Sequence, residues 1–568
     1  MHMTVAQALA RGMKAYGAEY VFTLTGAPQD ALIQMQNREG IRVVLARSER
    51  SAFCMADAYA RLTGKPTFGV VQFGPGATYL PPSLIDAFWA NSPLIAISGS
   101  ASTRMRHRLD YQEVDQLPMF APFTKWSGEL PAPDRIVDLL STAVRAAVSG
   151  VPGPVYLGIP YDFFDVSLGE SPHIASDESL LEVPARRVSP GTSEIEAALT
   201  LLAEAERPVL FAGGGILLSK AWEELTRFAE KLSLPVVTSL AGKGSIADTH
   251  PLAVGVAGRY SRKVANDVLG MCDICLVIGS RLGSLATDGF KYPRPESRII
   301  HVDLDAMTLG CNYREEISMV ADARTALRMF LEAVEDGPFS GRPLRWQAWT
   351  EAVRGKVAEW RATFRELAGN PLLDGRLDPR FVMQTLDAYV EGDDIVVADT
   401  GYMASWASTL IDQKVPGRSS LRAAGSLGWA FPGALGAKLA VGDKRRVVCL
   451  TGDGGLGYHL ADLETALRWK LPVVTVVMNN ASLAFEYHVQ KYIHKELCPE
   501  ASDFLDIDFA AVARAFGAHG ERVSEPDALE PALRRAEASG KPAVVDVATS
   551  RKVYAPTTRY ETVHAREL

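Results

Sequence analysis

The sequence predicts an α/β protein made of three doubly wound parallel-sheet domains. Two observations carry this. Short apolar runs rich in Val and Ile recur with helix-period stretches between them, the pattern of strands covered on both faces of a parallel sheet. Polar, proline-bearing or charged segments then divide that pattern into three. The 568 residues suffice for several separate cores.

Residues 1–170 form the first unit. MTVAQALARGMKAYG reads as an amphipathic helix, without the charged and apolar regions of a secretion signal. Strands are expected at YVFTL (20–24), IRVVLA (41–46), TFGVVQF (67–73), LIAISGS (94–100) and PVYLGIP (154–160). The helix SAFCMADAYARLTG ends at the breaker Gly64. Residues 171–192 are a polar linker. The second unit, 193–340, has strands in RPVLFAGGG, LPVVTSL, ICLVIGS and RIIHVDLD. A charged helical connector spans 341–375. The third unit, 376–550, has strands in DIVVAD, RRVVCLTGDGG, LPVVTVVMNN and PAVVDVA, followed by a tail at 551–568.

Composition excludes several roles. A net charge of -8 argues against a nucleic-acid partner, whose phosphates require clustered Lys and Arg. No apolar run approaches the roughly 20 residues of a membrane span. Of six cysteines only Cys272 and Cys275 are close, in MCDIC. They read as buried strand-end thiols, and the absence of a disulfide pattern points to the cytoplasm.

The chemistry concentrates in TGDGGLGYHLADLETALRWKLPVVTVVMNN, residues 451–480. VVCL is a buried strand, and its C-terminal end, where open parallel sheets bind ligands, carries Asp453 between glycines. The next strand, VVTVVM, delivers Asn479 and Asn480, the latter 27 positions after Asp453. A carboxylate, an amide oxygen and backbone carbonyls suit a hard cation such as Mg²⁺, which also binds phosphate oxygens. The amides of Gly452, Gly454 and Gly455 can contact a diphosphate.

This GDG…NN spacing resembles the diphosphate-anchoring motif of thiamine diphosphate (ThDP) enzymes of the acetolactate synthase, benzaldehyde lyase and oxalyl-CoA decarboxylase group. The resemblance spans nearly the whole chain, in the order pyrimidine, central and diphosphate domain. It implies Mg²⁺ held by Asp453, Asn480 and the carbonyl of Ser482. It implies Thr400 and Gly401 beside the diphosphate, and Gly26 and Gly425 among the cofactor-binding residues. In GSLGWAFPGALGAK, Leu427 matches the residue that props the cofactor into a bent shape. ARSERSAFCMADAYAR resembles the segment with the catalytic glutamate, here Glu49, which hydrogen-bonds the aminopyrimidine and so activates thiazolium C2. FGPGATYLPPSLIDAFWANSPLIAISG completes that pattern. Glu49 and the diphosphate end lie in different domains, and the resemblance implies that two subunits complete the site. A homodimer is then the minimum, and a homotetramer is expected.

HRLDYQEVDQLPMFAPFTKW is similar to the active-site loop of oxalyl-CoA decarboxylase, 2-hydroxyacyl-CoA lyase and benzaldehyde lyase, with Tyr111 and Gln112 facing the reacting carbonyl. Glu486 stands where pyruvate decarboxylases carry a catalytic glutamate, but their histidine pair is absent and His107 stands alone. Val489 stands where acetolactate synthase has tryptophan. GGG (213–215), SRL (280–282) and HVDLD (301–305) resemble a nucleotide site for ADP, less readily FAD; an empty vestigial domain is the alternative. Arg551, Lys552, Tyr554, Arg559 and Tyr560 suit either a disordered tail or a lid over coenzyme A.

The expectation is therefore a ThDP- and Mg²⁺-dependent carbon–carbon lyase. Its substrate would be a 2-hydroxyacyl-CoA, for instance 2-hydroxyisobutyryl-CoA, and its products a ketone or aldehyde plus formyl-CoA. One alternative is an enzyme without CoA: a 2-keto acid decarboxylase, an acetolactate synthase-like carboligase, or a 2-hydroxyketone or diketone lyase. Another is a non-catalytic binding subunit, which retention of Glu49, Asp453 and Asn480 opposes.

Overall fold

The computed structural model of the protein describes residues 3–560 except 27, 170–176, 337 and 340–342. The linker reading at 171–176 and the tail reading at 561–568 fall outside the described residues.

Three six-stranded parallel sheets are present. The first comprises β1 (Tyr20–Thr23), β2 (Arg42–Leu45), β3 (Thr67–Val71), β4 (Leu94–Ser100), β5 (Trp126–Glu129) and β6 (Val155–Pro160), in the order β2-β1-β3-β4-β6-β5. The second comprises β7 (Val209–Ala212), β8 (Val236–Thr238), β9 (Ala253–Val256), β10 (Ile274–Ile278), β11 (Arg298–Asp303) and β12 (Ile317–Val320), in the order β12-β11-β10-β7-β8-β9. This is the strand order of a dinucleotide-binding sheet, with its switch point between β7 and β10. A small hairpin, β13 (Leu372–Leu373) and β14 (Arg376–Leu377), leads into the third sheet. There β15 (Ile395–Ala398), β16 (Ser420–Arg422), β17 (Val447–Gly452), β18 (Val474–Asn479), β19 (His519–Val523) and β20 (Ala543–Ala548) run in the order β16-β15-β17-β18-β20-β19. The first and third sheets thus share one winding.

Besides the small hairpin, five strands lie outside the expected runs: β5, β9, β12, β16 and β19. All five are sheet edges. Four of them are only part-buried, as in β5 and β12. With one neighbour and a solvated face, such a strand needs no continuous apolar run.

The first and third domains meet through two helices. The Glu49–Thr63 helix starts on the N-cap Ser48, whose side chain accepts the Ser51 N–H, and ends at Gly64 with φ 71°. Residues 51–60 are all buried, because the helix lies between its own sheet and the Ala430–Val441 helix. At the crossing, a Cβ on Gly436 would stand 2.0 Å from the Met55 carbonyl oxygen. The contact extends through Trp429, whose Nε1–H donates to Asp57 at 3.0 Å. Asp86 accepts the N–H groups of Ala424, Gly425 and Ser426.

The central and third domains are joined by buried charge. Lys243 donates to Asp248 at 2.7 Å, and Arg262 to Asp412 at 2.5 Å. Arg361 also donates to Asp412, so every charge in this cluster has an opposite partner.

Gly436→Ala should lower stability by about 1–3 kcal/mol, since backbone faces the added methyl. Gly355 lies on an exposed helical face with nothing within 4 Å. Gly355→Ala should raise stability by roughly 0.4–1 kcal/mol. Urea unfolding of the two variants checks the opposite signs.

Candidate active site

β17 ends at Gly452, and the chain turns at once into the Asp453–Gly457 helix. β18 ends at Asn479, and the turn after it has Ala481 at φ 55°. These two strand ends, with the start of the Tyr402–Leu410 helix, enclose a cavity of about 350 Å³. Asp453, Asn480, Ser482, Thr400, Gly401, Leu427, Gly452, Gly454, Gly455 and Glu486 all line it.

Several polar oxygens line this cavity. The Ser482 N–H donates to Asp453 Oδ2 at 3.0 Å. Burial pushes the Asp453 carboxyl up to about 6. Asn480 Oδ1 is buried without a hydrogen-bond partner. A buried acceptor left unpaired costs about 1–3 kcal/mol, and a metal ion removes that cost. The other asparagine is structural: Asn479 Nδ2 donates to Asp546 at 3.0 Å and to the Ile507 carbonyl at 2.9 Å. Among the described residues no group of three or more His, Cys, Asp or Glu gathers as a metal site.

Asp399, absent from the sequence reading, forms the cavity floor. It accepts the N–H groups of Thr400 at 2.8 Å and Gly428 at 3.0 Å and the Thr451 hydroxyl at 3.0 Å. Burial raises it to about 6 as well. A Cβ on Gly455 would lie 2.5 Å from its Oδ2, so only glycine fits there. Gly425 lies outside the cavity, and its N–H donates to Asp86 at 2.9 Å.

Glu49 belongs to a second cluster. Its carboxyl is raised by burial, and a Cβ on Gly76 would stand 3.2 Å from its Oε1. Gly26 and Gly76 both press on Gln72, whose Nε2–H donates to Gln112 Oε1 at 2.9 Å. Gln112, at φ 61°, packs its carbonyl against Gly74. The neighbouring Tyr111 is 78% exposed. None of these residues lines the Asp453 cavity. Within one chain Glu49 and Asp453 therefore lie in separate clusters.

One further feature escaped the sequence. Tyr260, just after β9 of the central domain, reaches the cavity wall. The first part of the tail folds against that wall: Val553 lines the cavity, Ser405 donates to the Pro556 carbonyl, and Arg559 lies 5.2 Å over Phe485. Tyr560 is fully buried, and its hydroxyl donates to the Phe485 carbonyl at 3.4 Å. GRYSR carries no periodicity that would have placed Tyr260 there.

In the central domain Gly215, Gly279, Arg281, Asp303 and Asp322 line a cleft at the β7/β10 switch point. A Cβ on Gly213 would stand 2.0 Å from the Gly279 carbonyl oxygen, so the two loops touch by backbone. Cys272 and Cys275 are free and buried.

Asp453 and Asp399 ionise in the fold only near pH 6, against about 3.9 when unfolded. The folded state binds more protons between these values, so stability of the cofactor-free protein falls as pH rises from about 4 to about 6. Asp453→Asn should flatten part of that fall. Denaturation midpoints across the window check it.

Three matches to known families cover the domains in order. Residues 3–119 match the thiamine pyrophosphate enzyme N-terminal TPP binding domain, 195–330 its central domain, and 399–547 its C-terminal TPP binding domain. The chain is 30% identical over 557 residues to a probable acetolactate synthase large subunit of Methanocaldococcus jannaschii, covering 96% of this chain and 92% of that protein. It is 30% identical over 538 residues to the acetolactate synthase isozyme 3 large subunit of Escherichia coli, covering 94% and 92%. Sulfoacetaldehyde acetyltransferase of Castellaniella defragrans is 30% identical over 558 residues, covering 94% and 90%. The chain therefore belongs to the thiamine pyrophosphate enzyme family.

Proposed function

We propose that this protein is a ThDP- and Mg²⁺-dependent enzyme that makes or breaks the carbon–carbon bond beside a carbonyl, as an acetolactate synthase-like carboligase of 2-oxo acids. The observation that carries the reading is that one cavity gathers Asp453, the unpartnered Asn480 oxygen and Glu486. The relatives named as acetolactate synthases and as an acetyltransferase support the substrate class. This replaces the CoA lyase as the leading reading.

Asp453, Asn480 Oδ1 and the Ser482 carbonyl would hold Mg²⁺, and the N–H groups of Gly454 and Gly455 the diphosphate. Thr400 and Gly401 would flank it, with Leu427 beneath the bend. When bound, ThDP supplies the thiazolium carbon that carries the acyl group and stores its electron pair. Glu49 would hold a proton against the aminopyrimidine nitrogen. The raised affinity of its carboxyl for protons suits that exchange. Because Glu49 and Gly26 stand apart from the Asp453 cavity, a second copy would supply them, with Gln112 and Tyr111 on the substrate side. A homodimer is then the smallest active form, within a homotetramer. Glu486, on the rim and exposed, would give or take the proton of the substrate hydroxyl or carbanion carbon.

A second reading is cleavage of a 2-hydroxyacyl-CoA to a ketone or aldehyde and formyl-CoA. It is favoured by the tail, which brings the exposed Arg559 to the cavity wall with no carboxylate partner among the described residues. In the central cleft, Asp303 at the end of β11 would bind a nucleotide ribose. We assign ADP there, with FAD as the alternative that a yellow absorption would reveal. We place the protein in the cytoplasm on its free cysteines; among the described residues no helix is long and apolar enough to cross a membrane.

Glu486→Gln should retain ThDP binding and lose kcat by about 10²–10⁴, equivalent to about 3–5 kcal/mol. A variant with full turnover would remove Glu486 from the mechanism. The class is tested by assaying 2-oxo acids, alone and with aldehyde acceptors, beside 2-hydroxyacyl-CoA thioesters. A condensation product is expected. Formyl-CoA release alone would favour the second reading, and no turnover of either class would overturn both.

A further inference from the structure

Asp462 lies just beyond the Asp453 cavity in sequence, yet its carboxylate reaches into the first domain. Oδ1 accepts the Arg47 N–H at 3.0 Å and the Thr465 hydroxyl at 3.0 Å. Oδ2 accepts the Ser51 hydroxyl at 2.5 Å. Arg47 and Ser51 stand two positions either side of Glu49, so a single carboxylate brackets the turn on which Glu49 sits.

The proton count closes around Ser51. Its one O–H goes to Asp462. Its lone pairs face His459 Nδ1 at 2.8 Å and the Ser48 hydroxyl at 2.8 Å. Ser48 Oγ in turn accepts the Ser51 N–H at 3.0 Å, the N-cap of the Glu49 helix. His459 is the Nδ1–H tautomer, because Ser51 has no second proton to give. Burial and the nearby Arg50 push its pKa down to about 3, so the ring is neutral and adds no charge to the cluster. Arg50 itself, next to Glu49, donates to the Leu427 carbonyl.

Asp462 and Ser51 are 1% and 0% exposed. A buried carboxylate is a costly way to join two domains, since apolar side chains of the same volume often serve as well or better. What it provides instead is direction: three donors converge on two oxygens from two domains, and two of the three flank Glu49. The Glu49 carboxyl leaves this turn towards Gly76, where no Cβ limits its approach.

We propose that Asp462, acting through the Arg47 N–H and the Ser51 hydroxyl, is a positioning residue that fixes the Glu49 carboxyl against the aminopyrimidine nitrogen of ThDP. This rests on the role proposed for Glu49. Asp462→Asn puts an NH₂ where at least one donor must be accepted. Ser51→Ala removes one hydroxyl and is the milder change.

Three measurements are made on wild type, Asp462→Asn, Ser51→Ala and Glu49→Gln. They are calorimetric affinity for ThDP with Mg²⁺, thiazolium C2 proton exchange after acid quench, and NMR titration of the Glu49 carboxyl in the cofactor-free protein. Both positioning variants should bind ThDP as wild type does, slow C2 exchange roughly 10–100-fold, and move the Glu49 titration. Wild-type exchange with an unmoved titration in the folded variants would overturn the proposal. So would slowed exchange matched by an equal loss of affinity, which marks a purely structural contact. Unchanged exchange in Glu49→Gln would instead overturn the role of Glu49 on which it rests.

Discussion

The crossing of the Glu49–Thr63 and Ala430–Val441 helices sets where the Glu49 cluster and the Asp453 cavity stand. Gly436 lets one backbone lie on the Met55 carbonyl of the other. Around that contact the first domain reaches the third through Asp57 to Trp429, Asp86 to the loop at 424–426, and Arg50 to Leu427. Such a joint leaves little freedom between the domains, because packed interiors shift between discrete arrangements rather than deforming continuously. Glu49 and the Asp453 cavity belong to one rigidly braced chain, yet the cavity is lined without Glu49. On the proposed reading each chain contributes one half to each of two sites.

Buried carboxylates mark where that chemistry sits. Asp453 and Asp399 are both raised to about 6 by burial, and neither forms an ion pair among the described residues. Asp399 is satisfied by backbone and hydroxyl donors and serves as a scaffold. Asp453 has the Ser482 N–H and, beside it, the unpartnered Asn480 oxygen. On the proposed reading, a cation bound there would relieve the cost that this arrangement imposes on the isolated fold. The Lys243–Asp248–Arg262–Asp412 cluster is the contrasting case: its charges neutralise one another and hold domains together without facing a cavity.

Most of the frame was legible in the sequence because central strands buried on two faces must be continuously apolar. β3, β4, β10, β17, β18 and β20 all fall inside the expected runs. The edges β5, β9, β12, β16 and β19 did not declare themselves, since an edge strand such as Trp126–Glu129 is half-solvated throughout. The strand-end pair Asp453 and Asn480 was legible because glycine and asparagine interrupt two such runs. The NN dipeptide could not say which amide faces the ligand; the sheet takes Asn479 for itself by bonding it to Asp546. Tyr260 and Asp462 act across domain boundaries, so no local spacing announced them.

The central claim is that two copies complete one site. Mixing a Glu49→Gln chain with an Asp453→Ala chain tests it directly, because a heterodimer contains one site with both residues intact. Each variant alone should be inactive. Co-refolded in equal amounts with random pairing, they should recover about a quarter of wild-type activity. A mixture that stays as inactive as its components would show that Glu49 and Asp453 must act from the same chain, contradicting the account.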